Sequence, residues 1–278
     1  MAGARRVRVR SFGSEVAVPT ALELAGWVET RRGIGGDLTS FLLERSLDPQ
    51  EGVDMPACGG RIYRARILET IEGLDGETLT GDPSPDTVFV EEDVRWGESR
   101  SPGLRFSIPA PHLLGIRDGY YHDREEFCEG ISACYLEILR AMRDAGAVGH
   151  VLVGDRVHED ELERLAGPRI FFHYPDLSGG ELPGLLEFQN AVAVSGELLP
   201  AALELMDEYD LRHISLVDGK AQDLLAALEQ LDPDQISLGG YCRGGEDCRG
   251  YWKGLVEGAV IPRQPPPRPP GPRSAGSS

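Results

Sequence analysis

The stretch that decides the fold is AVAVSGELLPAALELMDEYDLRHISLVDGKAQDLLAALEQLDPDQISLG, residues 191–239. Short apolar runs of strand length alternate in it with segments 196–209 and 220–232, whose apolar residues recur at helical spacing. Strand, helix and strand in this order predict right-handed βαβ units and a parallel sheet. The predicted strands of this half are RIFFHY (169–174), AVAVS (191–195), HISLV (213–217) and QISLG (235–239).

The first half of the chain predicts further strands and one long helix. The helix opens at Asp123 with acidic residues in its first turn and closes at Gly146. Together the strands suffice for an α/β fold of the (β/α)8 TIM-barrel type with a modified N-terminal part, as a single domain over residues 1–260. An open doubly wound sheet is the alternative, although no glycine-rich nucleotide motif follows a strand. These strands are predicted at VRVRSFGSEVAV (7–18), RIYRARILETI (61–71), DTVFVE (86–91), LRFSIPAP (104–111) and HVLVG (150–154).

Composition and charge limit the partners that the chain can have. The 278 residues carry 46 acidic against 28 basic side chains, a formal net charge of −18. Such a charge repels phosphate backbones and anionic lipids, so neither nucleic acid nor a membrane is the expected main partner. The start of the chain lacks the apolar stretch of a signal peptide, and no segment is apolar over the roughly 18 residues that span a bilayer. We therefore expect a cytoplasmic protein that acts on a small molecule.

The proline-rich end, PRQPPPRPPGPRSAGSS, predicts a disordered tail over residues 261–278. Proline removes backbone donors, and glycine and serine leave the chain loose, so neither a helix nor a ladder is expected. Such a segment is also typical of polyproline ligands, and a protein partner of the SH3 type is the alternative to a plain tail.

The five cysteines form no regular framework. In a reducing compartment they are expected to be thiols or metal ligands, and disulfides are unexpected. Cys128 and Cys134 lie six positions apart on different faces of the long helix, which favours core positions over a shared ion.

Polar residues follow most of the predicted strands at their carboxyl ends, where the active site of a parallel barrel lies. We expect Asp218, Asp155 and His112 to be the catalytic candidates of this end. His173 and Cys242 are donors suited to zinc, and further ligands would come from Cys248, Glu197, Asp155 or His112. The alternative is structural: Cys242 as a small buried hydrophobe and His173 hydrogen-bonded beside the sheet.

The segment SIPAPHLLGIRDGYYHDREEFCEGISACYLEILRAMRDAGAVGHVLVGDRV resembles a stretch of cobalamin-independent methionine synthase. In that family a proline-bearing strand end, a Tyr-Tyr-x-Asp-Arg-Glu-Glu helix start and a long helix lead to a strand ending in Asp-Glu-Pro. The resemblance continues in order through FFHYPD, AVAVSGE, SLVDGK and SLGGYCRGGEDC, over residues 104–250. It implies the barrel fold that this family shares with uroporphyrinogen decarboxylase.

The resemblance also implies a zinc site, with departures at two ligand positions. His173 matches the first zinc ligand and Cys242 the last. Pro175 stands where the family has a cysteine, and Ser195 replaces a glutamate that Glu197, two residues later, would have to supply. Zinc in the family activates the thiolate of homocysteine, so the cofactor implied is zinc held by an incomplete ligand set.

Three functions follow from these observations. The first is a methionine-synthase-like methyltransferase, or a related one-carbon enzyme, acting at the carboxyl ends of the strands. The second is a non-catalytic barrel that binds a small molecule or a protein. The third is a metal-free, decarboxylase-like enzyme in which charged residues alone orient an anionic substrate.

Overall fold

The computed structural model describes residues 6–30, 36–245 and 247–261. The predicted proline-rich tail therefore lies outside the described residues, apart from Ile261. Within the described ranges no helix is long and apolar enough to cross a membrane.

Two four-stranded parallel sheets form the centre of the molecule. A bridge between Arg10 and Met55 joins them where β1 of the first sheet runs beside β2 of the second. A small third sheet pairs an antiparallel hairpin with a short parallel strand. The first sheet has the order β1 (Arg8–Ser14), β11 (Ile236–Cys242), β10 (His213–Val217) and β9 (Ala191–Val194). The second has the order β2 (Ala57–Gly59), β5 (Arg105–Pro109), β7 (Gly149–Val153) and β8 (Ile170–His173). The third contains β3 (Ile71–Asp75), β4 (Thr78–Pro85) and β6 (Arg117–Asp118).

Helices follow most of the central strands and cover them from outside. The long predicted helix is confirmed, and the carboxylate of Asp123 caps it by accepting hydrogen bonds from two backbone N–H groups of its first turn. The helices are α1 (Ala21–Thr30), α2 (Leu38–Leu47), α3 (Arg64–Thr70), α4 (Val88–Arg100), α5 (Arg124–Asp144), α6 (Glu159–Leu165), α7 (Leu182–Leu186), α8 (Leu199–Glu204), α9 (Ala221–Ala227) and α10 (Cys248–Gly258).

Two predicted strands are wrong. The segment 61–71 is mostly helical, because Tyr63, Ile67 and Thr70 are buried at the spacing of a helix. The segment 86–91 starts helix α4, whose buried residues Val90 and Val94 again lie four apart. Both segments are rich in residues that suit strands, and the helical packing of their apolar faces overrides that preference.

Alternate residues of the central strands pack into two different clusters. The smaller cluster lies on what we call the inner face and draws residues from both sheets; Phe12 of β1 stacks on Phe171 of β8 at 5.3 Å between ring centroids. The larger cluster lies on the outer face, between the strands and the helices, and includes Leu152, Leu216 and Trp252. The inner cluster consists of Phe12, Ala57, Val151, Val153, Phe171, Ala193 and Tyr241.

A buried charge network ties the N-terminal helices together. Asp93 of α4 accepts hydrogen bonds from Arg66 Nε at 2.9 Å and from the Tyr63 hydroxyl at 2.8 Å. Arg66 also pairs with Asp37 and Glu69, so the guanidinium is held from three sides. The network lies in the N-terminal part of the chain, which the sequence predicted to depart from the regular barrel pattern.

Candidate active site at the carboxyl ends of the strands

A cleft of about 630 Å³ opens at the carboxyl ends of β8, β9, β10 and β11. Its size is that of a small-molecule site. Charged side chains of both signs surround a floor of inner-face residues, and we call it the carboxyl-end cleft. Its lining includes His173, Tyr174, Pro175, Ser195, Glu197, Asp218, Lys220, Asp223, Tyr241 and Arg243.

His173, the last residue of β8, forms the floor of this cleft. Its ring stacks on Phe12 at 4.3 Å and lies 5.8 Å from the ring of Tyr241. Both ring nitrogens are buried and have no hydrogen-bond partner among the described residues. Burial, with three nearby arginines adding to the effect, lowers the pKa of His173 to about 3, so the ring is neutral at physiological pH. A buried polar group without a partner is uncommon and indicates that a ligand or water completes it.

Asp218 follows β10 in a backbone conformation that side chains rarely adopt, with φ of 52°. Its backbone N–H donates to the carbonyl of Gly239, and its carboxylate accepts a hydrogen bond from the hydroxyl of Tyr251 at 2.5 Å. These contacts fix the carboxylate at the mouth of the cleft. Strained backbone of this kind is often found at functional sites.

The cations of the cleft come from the loops after β10 and β11. Lys220 precedes helix α9, and Arg243 lies 2.9 Å from Asp176 in an exposed ion pair. The pKa of Arg243 is raised by its hydrogen bond to Asp176. The cleft can therefore offer both a cation and a carboxylate to one ligand.

His112 stands at the carboxyl end of β5, outside the lining of the cleft. Its Nδ1 lies 2.8 Å from Glu161 and its Nε2 lies 2.9 Å from Asp155. The ring can donate to both carboxylates only when it carries its second proton. Burial alone would raise the pKa of Asp155, but the charge and hydrogen bond of His112 bring it below its ordinary value. The imidazole of His112 therefore links the carboxylates of Glu161 and Asp155.

A group of metal-ligating side chains also gathers at this place. Ligand atoms of His112, Asp155 and His158 all lie within 4.8 Å of one another, the one such group in the described part of the chain. The ring centroids of His112 and His158 lie 4.2 Å apart with the rings tilted by 32°, and Arg156 donates to His158 Nε2 at 3.0 Å. A cation next to Nε2 disfavours a metal ion bound through that nitrogen.

The expectation that the cysteines are unpaired is wrong for one pair. Cys242 and Cys248 form a disulfide, with Cα atoms 5.7 Å apart and a sequence separation of six. The glycine-rich loop allows the chain to turn back, so that the first residue of α10 meets the last residue of β11. Cys58, Cys128 and Cys134 are free.

The side chains present do not fit a four-ligand zinc ion in this state. The sulfurs of Cys242 and Cys248 are bonded to each other, whereas zinc requires thiolates. Cys242 also belongs to the outer-face cluster, while His173 packs against the inner-face residues Phe12 and Tyr241. Glu197 lines the cleft and is exposed. The predicted ligand set remains a prediction, and it requires the reduced protein.

Several residues of the site escaped the sequence analysis. Tyr241 supplies the inner-face aromatic at the end of β11, next to the cysteine that drew attention. Glu161 and Tyr251 hold His112 and Asp218 from helices α6 and α10. The strict alternation of strand side chains could have identified Tyr241. Contacts made from distant helices leave no local signal.

No protein-family model and no curated protein matches the sequence. Solved structures do match. A B12-independent methionine synthase from Shewanella sp., in complex with selenomethionine, is 17% identical with a TM-score of 0.65, covering 91% of this chain and 97% of that one. A putative vitamin-B12 independent methionine synthase from Listeria monocytogenes is 15% identical with a TM-score of 0.59, covering 91% and 94%.

A methyltransferase from Methanosarcina mazei is 12% identical with a TM-score of 0.58, and the match covers 92% of this chain and 94% of that one. At such identities the likeness shows the fold alone. The predicted resemblance to cobalamin-independent methionine synthase is thereby confirmed for the fold, and the zinc site is not confirmed with it.

Proposed function

We propose that the chain is a methyltransferase-like enzyme that binds a small amino-acid substrate in the carboxyl-end cleft. The observation that carries this proposal is the buried imidazole of His173, unpartnered at the floor of a cleft with charges of both signs at its mouth. A buried polar group of this kind gains a hydrogen bond when a ligand enters.

The charges of the cleft suit a zwitterion. Asp218, held by Tyr251, would bind the ammonium group, while Lys220 and Arg243 would bind the carboxylate. The side chain of the substrate would then lie over the rings of His173 and Tyr241. The selenomethionine bound by the Shewanella neighbour supports an amino acid of this class.

Proton movement would belong to His112 and Asp155. Their hydrogen bond of 2.9 Å pairs an imidazole with a carboxylate at the carboxyl ends of β5 and β7, and Glu161 orients the ring from its other nitrogen. Neutral His173 would position the reacting group rather than remove its proton, because its pKa of about 3 makes it a weak base.

Zinc would supply Lewis-acid activation of a thiol in the reduced protein, with His173, Cys242, Cys248 and Glu197 as the predicted ligands. The disulfide and the outer-face position of Cys242 count against that role. We therefore expect the acceptor to be something other than a zinc-bound homocysteine thiolate.

The scaffold of this site would be a closed (β/α)8 barrel forming one domain. The two parallel sheets have four strands each and meet at β1 and β2, which gives the eight strands of such a barrel. The inner cluster, to which both sheets contribute, supports closure. The side-chain oxygen of Gln189 accepts a hydrogen bond from the backbone N–H of Phe172 at 3.0 Å, and its nitrogen donates to the carbonyl of Phe172 at 3.2 Å. These two bonds satisfy backbone groups of β8 on the side that faces β9. Limited proteolysis that yields two stable halves would argue against one domain.

The test is calorimetric binding of L-methionine and L-homocysteine, followed by a methyl-transfer assay. We expect saturable binding that Asp218→Asn weakens by about tenfold, the value of one charge-assisted hydrogen bond. Asp207→Asn, an exposed aspartate on the turn after α8, is the matched control and should bind normally. The proposal is refuted if neither amino acid binds.

A non-catalytic binding protein is the second candidate. The disulfide at the position of the last zinc ligand favours it, because it removes the thiolate that the related chemistry needs. Binding of an amino acid without turnover, using methyl-folate and methyl-corrinoid donors, would decide for this candidate.

A further inference from the structure

A second cleft lies at the opposite end of the strands. It has a volume of about 600 Å³ and opens at the amino ends of β5, β7, β8 and β9. We call it the amino-end cleft. Nothing in the proposed function uses it, because the carboxyl-end cleft lies at the other ends of β8 and β9, the two strands that both clefts share.

Two arginines face this cleft from the inner side of the strands. Arg10 projects from β1 and its guanidinium lies 3.9 Å from the ring centroid of Phe171 and 5.1 Å from that of Phe12. Arg105, the first residue of β5, lines the same space. Both side chains are half-buried.

Neither arginine has a carboxylate partner among the described residues. The buried Nε of Arg10 makes no hydrogen bond at all. Burial and the like charge of Arg105 lower the pKa of Arg10 to about 9, and no acidic group acts in the other direction. A guanidinium nevertheless stays protonated in proteins, so the unpaired charge persists.

Two half-buried cations without carboxylate partners are costly in any protein. They are more unexpected in a chain of net charge −18, where acidic side chains are plentiful. The cation–π contact with Phe171 offsets only part of the cost. The acids of the cleft, Glu187 and Asp210, are exposed, and Asp210 already pairs with Arg212. The inner part of the cleft is therefore positive.

We propose that the amino-end cleft binds a small organic oxyanion, a carboxylate or a phosphate ester, whose charged head lies between the guanidiniums of Arg10 and Arg105. The planar fork of a guanidinium matches both kinds of head group. The ring of Phe171 and the exposed amide of Asn190 are available to the rest of the ligand.

The experiment is calorimetric titration of the full chain with inorganic phosphate and, separately, with succinate, so that the two arms distinguish the head groups. We expect saturable binding of at least one probe. Arg10→Met and Arg105→Met should each weaken it by about tenfold or more, because each removes a charge-assisted contact. Arg8→Met is the matched control: it removes the same charge from an exposed position on the same strand and should change binding by less than about twofold.

Thermal unfolding without added anion separates a binding role from a structural one. If Arg10 awaits an anion, Arg10→Met keeps or raises the melting temperature, because an unpaired buried charge is removed. Should Arg10→Met fail to fold, Arg105→Met gives the same comparison. The proposal is overturned if neither probe binds the wild-type chain, if Arg8→Met weakens binding as much as Arg10→Met, or if Arg10→Met lowers the melting temperature without affecting anion binding.

Discussion

Reduction of the disulfide between Cys242 and Cys248 should destabilise the protein by a modest and calculable amount. The bond closes a loop with a sequence separation of six. The loop-entropy relation assigns about 2 kcal/mol to a closure of that length. At roughly 2–4 °C for each kcal/mol in a chain of this size, the melting temperature should fall by about 4–8 °C on reduction.

Two measurements test this prediction. Alkylation of the denatured, unreduced protein followed by mass spectrometry should label only the thiols of Cys58, Cys128 and Cys134. Thermal unfolding with and without a phosphine reductant should show the lowered melting temperature in the wild type. Cys248→Ser should melt at the lower temperature under both conditions and leave Cys242 as a buried thiol.

Cys128→Ser is the matched control, because Cys128 is also half-buried and is free. This variant should keep the full response to the reductant. Labelling of all five cysteines in the unreduced protein, or an identical melting temperature with and without reductant, would refute the reasoning. The sulfurs of Cys242 and Cys248 would then be available as the predicted zinc ligands.

Three further predictions follow from other sites. Asp93→Ala should lower the free energy of unfolding by about 3 kcal/mol in denaturant titrations, because it leaves the buried charge of Arg66 with weaker partners, whereas exposed Glu92→Ala should change it little. Burial lowers the pKa of His150 to about 3 from 6.5, so the unfolded chain binds the extra proton and stability is lost as pH falls from 6.5 towards 3. His150→Leu should reduce that acid dependence, and exposed His122→Leu should not. Homocysteine with methyl-folate or methyl-corrinoid donors should turn over well below about 1 per second, with or without zinc, and faster turnover would contradict the reading of the ligand positions.

The C-terminal half of the fold was predictable from sequence because its strands are buried and parallel. The run AVAV, residues 191–194, is apolar throughout, and a helix whose apolar residues recur at helical spacing follows it. The helix that begins after Asp123 was predictable from its N-cap residue and its acidic first turn.

The N-terminal half was less predictable because its local signals conflict. Residues 61–71 combine strand-forming residues with good helix formers, and long-range packing of the buried face, together with the network of Arg66 and Asp93, decides for a helix. The antiparallel hairpin of β3 and β4 lies in the N-terminal part of the chain, which was predicted to depart from regular βαβ units.

Some of the polar residues predicted at the carboxyl ends of the strands share one cleft, whereas His112, Asp155 and Cys242 lie outside its lining. His173, Asp218 and Glu197 do line one cleft, as their positions after consecutive strands predicted. Strand β11, however, continues to Cys242, so alternation turns Tyr241 to the inner face and Cys242 to the outer one. A difference of one residue in this alternation therefore decides whether Cys242 faces the inner side, as a metal ligand would, or packs in the outer-face cluster.

A crystal structure of the protein grown with L-methionine tests the binding of an amino acid in the carboxyl-end cleft most directly. The account predicts density for the amino acid over the ring of His173, with its ammonium group at Asp218 and its carboxylate at Lys220 or Arg243. An empty cleft at saturating ligand would contradict it, and so would a zinc ion held between His173 and a reduced Cys242.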